Sequence, residues 1–182
     1  MIRIRKLDKI EARELEGLCD VLMDCVDGGA SVSFMWPMTR ERAEAFWRNV
    51  AGAVQRDERV IVVAEDDAGI VGTVTVILNL PENQPHRGEV AKMLVRRRAR
   101  RRGVGAKLLE AAEAWARKRG KSLLTLDTVS GSDADRLYTR MGWKRVGEVP
   151  NFALWPDGRF CAATIFYKEL PREAGAKSDR AL

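Results

Sequence analysis

The sequence predicts an α/β (α+β) chain, a mixed and mostly antiparallel sheet of about seven strands flanked by about four helices. Three observations carry this. Short β-branched runs bounded by turn residues alternate with longer stretches whose apolar residues recur at helical spacing. Glu89–Val95 reads as a strand that feeds a basic, glycine-punctuated turn and then the amphipathic stretch Ala106–Arg119. The apolar run Leu123–Leu126 follows that helix, and a crossover of this length makes it the parallel neighbour of the strand before it.

Taken in order, Ile2 and Ile4 alternate with Arg3 and Arg5 in a short first strand. Asp8-Lys-Ile-Glu11 has the spacing of a capping box, and Leu15, Leu18, Cys19, Leu22, Met23 and Val26 share one face, so 9–26 should be a helix lying on the sheet. Gly28-Gly29 stops it. Thr39 is the N-cap expected for a second helix, whose apolar face is Ala43, Phe46, Trp47, Val50 and Val54. The β-branched runs Arg59–Glu65 and Ile70–Leu78 flank Asp-Asp-Ala-Gly and read as a hairpin. The central strand Glu89–Val95 follows, then a helix that buries Leu108, Leu109, Ala112, Trp115 and Ala116 and ends at Gly120. A short helix Ala134–Met141 precedes two closing strands, Trp143–Val149 and Ala162–Lys168, joined around Pro156-Asp-Gly158. One domain spans 1–170, and 171–182 is a polar tail.

Length and a 46 % hydrophobic content suit a single domain with a sizeable core. No apolar signal run opens the chain and no stretch approaches a membrane span, which points to a cytoplasmic protein with no membrane partner. Cys19, Cys25, Cys161 and the single His86 argue against a disulfide framework and against a metal site. The net charge of +6 is carried by the six arginines of Arg96–Arg102, since the other 26 bases and 26 acids cancel. Such a run suits a polyphosphate ligand, and by itself it also suits a nucleic-acid backbone.

The turn after the central strand is chemically specific. Gly103 and Gly105 allow close approach of the backbone to a ligand, and the first N–H groups of the helix lack intrahelical partners, so an anion is the natural guest. Leu108 stands where the dinucleotide fingerprint needs its third glycine, and Gly103-Val-Gly-Ala-Lys107 does not match the phosphate loop of nucleotide hydrolases. The pattern present, Arg100-x-x-Gly103-x-Gly105, resembles the acetyl-CoA pyrophosphate loop of the GNAT N-acetyltransferases. Further along, Leu126-Asp127-Thr128 and Ala134-Asp-Arg-Leu137-Tyr138-Thr-Arg-Met141-Gly142-Trp143 resemble that family's strand-and-helix signature. The predicted element order is the family's order too. Gly28–Met35, Leu126–Thr128, Gly147–Pro150 and Pro156–Arg159 are similar to the tabtoxin-resistance branch of the family. One departure is Arg96-Arg97, where many members carry a proline.

The resemblance implies an acetyl-CoA-dependent N-acetyltransferase of the GNAT fold, with direct attack through a ternary complex. Met93, Leu94 and Val95 would pair with the pantetheine arm, and Arg100, Arg101, Arg102, Gly103, Val104, Gly105 and Ala106 would hold the pyrophosphate. Tyr138 would face the cofactor sulfur and protonate the leaving thiolate. An alkyl ammonium must lose a proton before it can attack. Glu89, at the start of the central strand, is the candidate base, and Asp127, at the end of its neighbour, would bind or share the proton, with His86 as the alternative base. The loop Gly28–Met35 would border the acceptor, Ser31 and Ser33 hydrogen-bonding it while Phe34 and Trp36 wall the pocket. The acceptor implied is a small amino-acid-like or β-lactam amine, as in toxin or antibiotic resistance. A protein or peptide amine is the alternative, and a nucleic-acid-binding or acyl-CoA-sensing module is a remoter one. A homodimer is left open.

Overall fold

The computed structural model describes residues 1–171, so the expected tail beyond Pro171 lies outside the described residues. The chain runs β1 (Arg3–Leu7), α1 (Ala12–Asp27), α2 (Arg40–Gln55), β2 (Arg59–Asp66), β3 (Gly69–Ile77), β4 (Arg87–Val95), α3 (Val104–Lys118), β5 (Leu123–Val129), α4 (Asp133–Arg140), β6 (Lys144–Leu154) and β7 (Phe160–Glu169). The strands form one sheet in the order β1-β2-β3-β4-β5-β7-β6. Only β4 and β5 are parallel, as expected of strands joined through a crossover helix. No described helix is long and apolar enough to cross a membrane.

Both faces of the inner strands are covered, which is why β2 and β3 read as nearly continuous β-branched runs. On one face Leu18, Leu22, Val26, Trp47 and Val50 of α1 and α2 pack on Ile61, Val63 and Leu94. On the other, Leu108, Leu109, Ala112 and Ala116 of α3, with Tyr138 of α4, pack on Val60, Val62, Val76, Val90, Leu124 and Phe166. α1 lies over β3 and β4 and α2 over β2. α3 and α4 are fixed to the closing strands by a buried polar cluster. Glu113 accepts from Lys168 Nζ at 2.7 and 2.8 Å and from Trp143 Nε1 at 3.0 Å, while Lys168 also donates to the Met141 carbonyl at 2.9 Å.

The feature that shapes the site is a bulge in β4. Its register against β3 jumps from Thr73↔Leu94 to Thr75↔Ala91, which leaves Lys92 and Met93 opposite one residue of β3. Such an insertion bends the strand. β4 and β5 pair only at Arg87↔Leu123, Gly88↔Leu124 and Glu89↔Thr125, and beyond Glu89 a gap opens between them.

Some boundaries differ from the sequence reading, each for a local reason. α1 starts at Ala12 behind an N-cap Glu11 that makes no side-chain cap, and Asp8 pairs with Lys6 and does not open the helix. Gly29, at φ 82°, takes the left-handed position after α1, whereas Gly28 does not. Thr39 caps α2 as expected, accepting from the Arg42 N–H at 3.4 Å. β6 continues through Pro150 to Leu154, since an edge strand with a register shift tolerates a residue that cannot donate.

Candidate active site

The turn between β4 and α3 is a short 3₁₀ segment, Arg97–Ala99, followed by a left-handed Arg101 at φ 59° and Gly103 at φ 73°. Its arginines divide into two groups. Arg97 donates to Asp24 through its N–H at 2.7 Å and its Nε at 3.2 Å, Arg98 grips Asp66 at 2.5 and 3.1 Å, and Arg96 lies 3.7 Å from Asp20. Hydrogen bonding from Arg98 holds the Asp66 carboxyl below the usual range. These three arginines fasten the turn to α1 and β2, so the basic excess is not all available to a ligand as the charge count suggests. Arg100 folds back, its Nε donating to the Val95 carbonyl at 3.0 Å, and Arg101 and Arg102 stay exposed.

Among the described residues, the main-chain N–H groups from Arg101 through Ala106 donate to no protein acceptor. They form a row of free donors at the N-terminus of a fifteen-residue helix, a place where the helix dipole favours an anion. Gly103 is required there by its positive φ. Gly105 has a packing reason as well. A Cβ on it would sit 3.0 Å from Leu137 Cδ2, so it lets α3 approach α4. Val104 and Leu94 are buried and offer a ligand only main chain, while Met93, Val95 and Ala106 are half-buried.

At the gap, Glu89 stands opposite Thr125 in register, so both side chains lie on one face of the sheet, with Asp127 two residues further along that face. Ile165 and Tyr167 of β7, paired with Asp127 and Thr125, extend the same face. Glu89 is half-exposed and lies 3.6 Å from Arg87, whose Nη1 donates to Thr125 Oγ1 at 2.6 Å. Asp127 is exposed. His86 is exposed as well, and its carbonyl anchors the start of β5 by accepting from Ser122 and Leu123 N–H at 2.9 and 3.2 Å.

Tyr138 belongs to the opposite face, 4 % exposed, its ring centroid 5.7 Å from Trp143 and 5.9 Å from Phe166. Burial pushes the phenol well above its ordinary range, and the negative charge of Asp127 adds to the shift. The group therefore stays protonated through the neutral range.

The loop between α1 and α2 is tied to its surroundings by hydrogen bonds. Ser31 Oγ donates to the Leu154 carbonyl at 2.6 Å, Trp36 N–H to the Pro156 carbonyl at 3.1 Å and Trp36 Nε1 to the Val26 carbonyl at 2.9 Å. The Trp36–Pro37 peptide is cis. Ser31 thus fastens the loop to the β6–β7 hairpin, a contact between residues 123 positions apart that local sequence cannot display. Ser33 faces the other way and accepts from Lys92 Nζ at 3.0 Å. Phe34 packs edge-on against Phe46 with centroids 5.3 Å apart, and Trp36 is about half-exposed. Lys92 was not among the sequence candidates. Its signal was a lone charge inside the apolar run Val90-Ala-Lys-Met-Leu-Val95.

Comparison with known proteins agrees with this architecture. The sequence model described as "Acetyltransferase (GNAT) family" matches residues 16–143. An uncharacterized N-acetyltransferase from the hisH-hisA intergenic region of Azospirillum brasilense is 28 % identical over 128 residues, 69 % of this chain and 74 % of the relative. Aminoglycoside N(6')-acetyltransferase type 1 of Klebsiella aerogenes is 28 % identical over 124 residues, 65 % of this chain and 82 % of the relative. A structure from Salmonella typhimurium, described as an acetyltransferase with its cofactor acetyl-CoA, superposes with a TM-score of 0.77 at 18 % identity, covering 98 % of this chain and 99 % of that one. The element order, the gap between β4 and β5 and the donor row at α3 are thus those of a chain that belongs to the acetyltransferase (GNAT) family.

Proposed function

We propose that this enzyme transfers an acetyl group from acetyl-CoA to the primary amine of a small, amino-acid-like molecule, by direct attack within a ternary complex. One observation carries the reading. Two carboxylates, Glu89 and Asp127, share one face beside the gap between β4 and β5, and a buried, protonated Tyr138 lies on the other. Acetyl-CoA supplies an activated thioester, and the chain's residues do the rest. The N–H row from Arg101 to Ala106, with the Arg101 and Arg102 charges, holds the pyrophosphate, and Arg100 keeps the turn against Val95. Main chain of Met93, Leu94 and Val95, unpaired on the β5 side, receives the pantetheine arm in the manner of an added strand. Glu89, through a water, removes a proton from the acceptor ammonium, and Asp127 binds the amine or shares the proton. Tyr138 protonates the departing thiolate.

The likeness of Gly28–Met35 and Pro156–Arg159 to the tabtoxin-resistance branch supports an acceptor of amino-acid type, in keeping with a role in toxin or antibiotic inactivation. The aminoglycoside relative supports a small-molecule acceptor in general. The test is release of free CoA with a panel of amino acids, β-lactam-like dipeptides, polyamines, aminoglycosides and a lysine peptide. An amino-acid-like amine should exceed the peptide by at least about 10-fold in kcat/KM. A lysine peptide that outperforms every small amine would overturn the acceptor. A protein that acetyl-CoA does not stabilise against heat would overturn the donor.

A further inference from the structure

Lys92 occupies the bulge of β4 at φ 50°, a conformation that L side chains rarely adopt. Simple alternation from Val90, which faces α3, would send Lys92 into the same apolar layer, where an ammonium is costly to bury. The bulge turns it instead to the face of Glu89. There Nζ lies 3.0 Å from Ser33 Oγ, 5.9 Å from the Phe34 ring centroid and 5.6 Å from that of Phe46. Two aromatic faces favour the charged form. Burial pushes its pKa down, the charge of Asp127 pulls it up and that of Arg59 pushes it down. Among the described residues it makes no ion pair, and Ser33 is its hydrogen-bond partner. An ammonium has three N–H donors, so the group retains capacity for a ligand.

We propose that Lys92 determines acceptor specificity: its ammonium, held between Ser33 and the Phe34–Phe46 pair, binds a carboxylate of the acceptor while Glu89 and Asp127 face the acceptor's amine. This deepens the small-amine reading and rests on it. The face carries Glu89 and Asp127, with Arg87 3.6 Å from Glu89 and the charge of Arg59 nearby, and Lys92 on the bulge sets a cation beside the two acids, a pattern complementary to a zwitterion. A polycation such as an aminoglycoside meets Lys92 as a like charge and is a poor acceptor, despite the name of the Klebsiella aerogenes relative.

The test uses matched acceptors, each amine supplied as its free acid and as its primary amide. The wild-type enzyme should prefer the acid about 10- to 100-fold in kcat/KM, the size of one charged hydrogen bond. Lys92→Met should remove that preference, mainly by raising KM for the acid, and Lys92→Arg should keep part of it. Lys92→Gly is a second variant whose backbone suits the positive φ, so loss of folding in one does not remove the test. Retention of the acetyl-CoA thermal shift shows that each variant is folded. An unchanged acid-to-amide ratio in both neutral variants would overturn the proposal. So would equal slowing of acid and amide, which would make Lys92 a structural or proton-transfer group, or a wild-type ratio below about 3-fold, whatever the variants do. Turnover of a lysine peptide with no small amine would instead remove the acceptor reading, and this proposal with it.

Discussion

The two sides of the gap are built from different materials. On the proposed cofactor side the groups on offer are unpartnered main-chain N–H donors from Arg101 to Ala106, set by Gly103 and the start of α3. On the proposed acceptor side they are side chains, Glu89, Lys92 and Asp127, set near one another by strand register, a bulge and a loop tied to a distant hairpin. Backbone donors recognise what all acyl-CoA donors share. Side chains can change without disturbing the fold, and specificity belongs there.

The sharpest way to break this comparison is at Gly103. A glutamate there would carry a Cβ at φ 73° and put an anion in the donor row, so Gly103→Glu should weaken acetyl-CoA binding by about 100- to 10,000-fold, the loss of two charged hydrogen bonds. Calorimetric titration reads this directly, and wild-type affinity in the variant would mean that the pyrophosphate is held elsewhere. A smaller effect belongs to Tyr138. Tyr138→Phe should lower kcat about 10- to 100-fold and leave acetyl-CoA affinity within about 3-fold. The same variant has a signature in stability. The unfolded phenol ionises near pH ~10 while the buried one stays protonated, so wild-type stability falls as pH rises above ~10, through the window up to the raised folded value. Tyr138→Phe should lose less over that range in denaturant titrations. Equal alkaline losses would mean that Tyr138 is not shifted.

The cofactor side was also the more legible one. A strand, a glycine turn and a helix are contiguous, so β4, the turn and α3 could be read from local pattern, and hydrophobic runs gave β2 and β3. The acceptor side depends on contacts far apart in the chain. The Ser31–Leu154 bond and the Lys92–Ser33 bond leave no local trace, and a bulge is invisible to a period-two pattern. The inner face of α3 shows the same limit. Trp115, read as core, is only half-buried beneath Lys6 and Lys118, while Glu113 is buried because Lys168 and Trp143 satisfy its carboxylate. Half the arginine run looks like ligand charge until Asp20, Asp24 and Asp66 are seen to pair with it.

On this reading donor binding and amine activation are separate functions of the two sides. The most direct measurement pairs acetyl-CoA affinity with turnover in the Glu89→Gln, Asp127→Asn double variant. Affinity should stay within about 3-fold of wild type while turnover of the best amine falls at least about 100-fold near neutral pH. Turnover that persists, or a loss of acetyl-CoA binding as large as the loss of rate, would contradict the account.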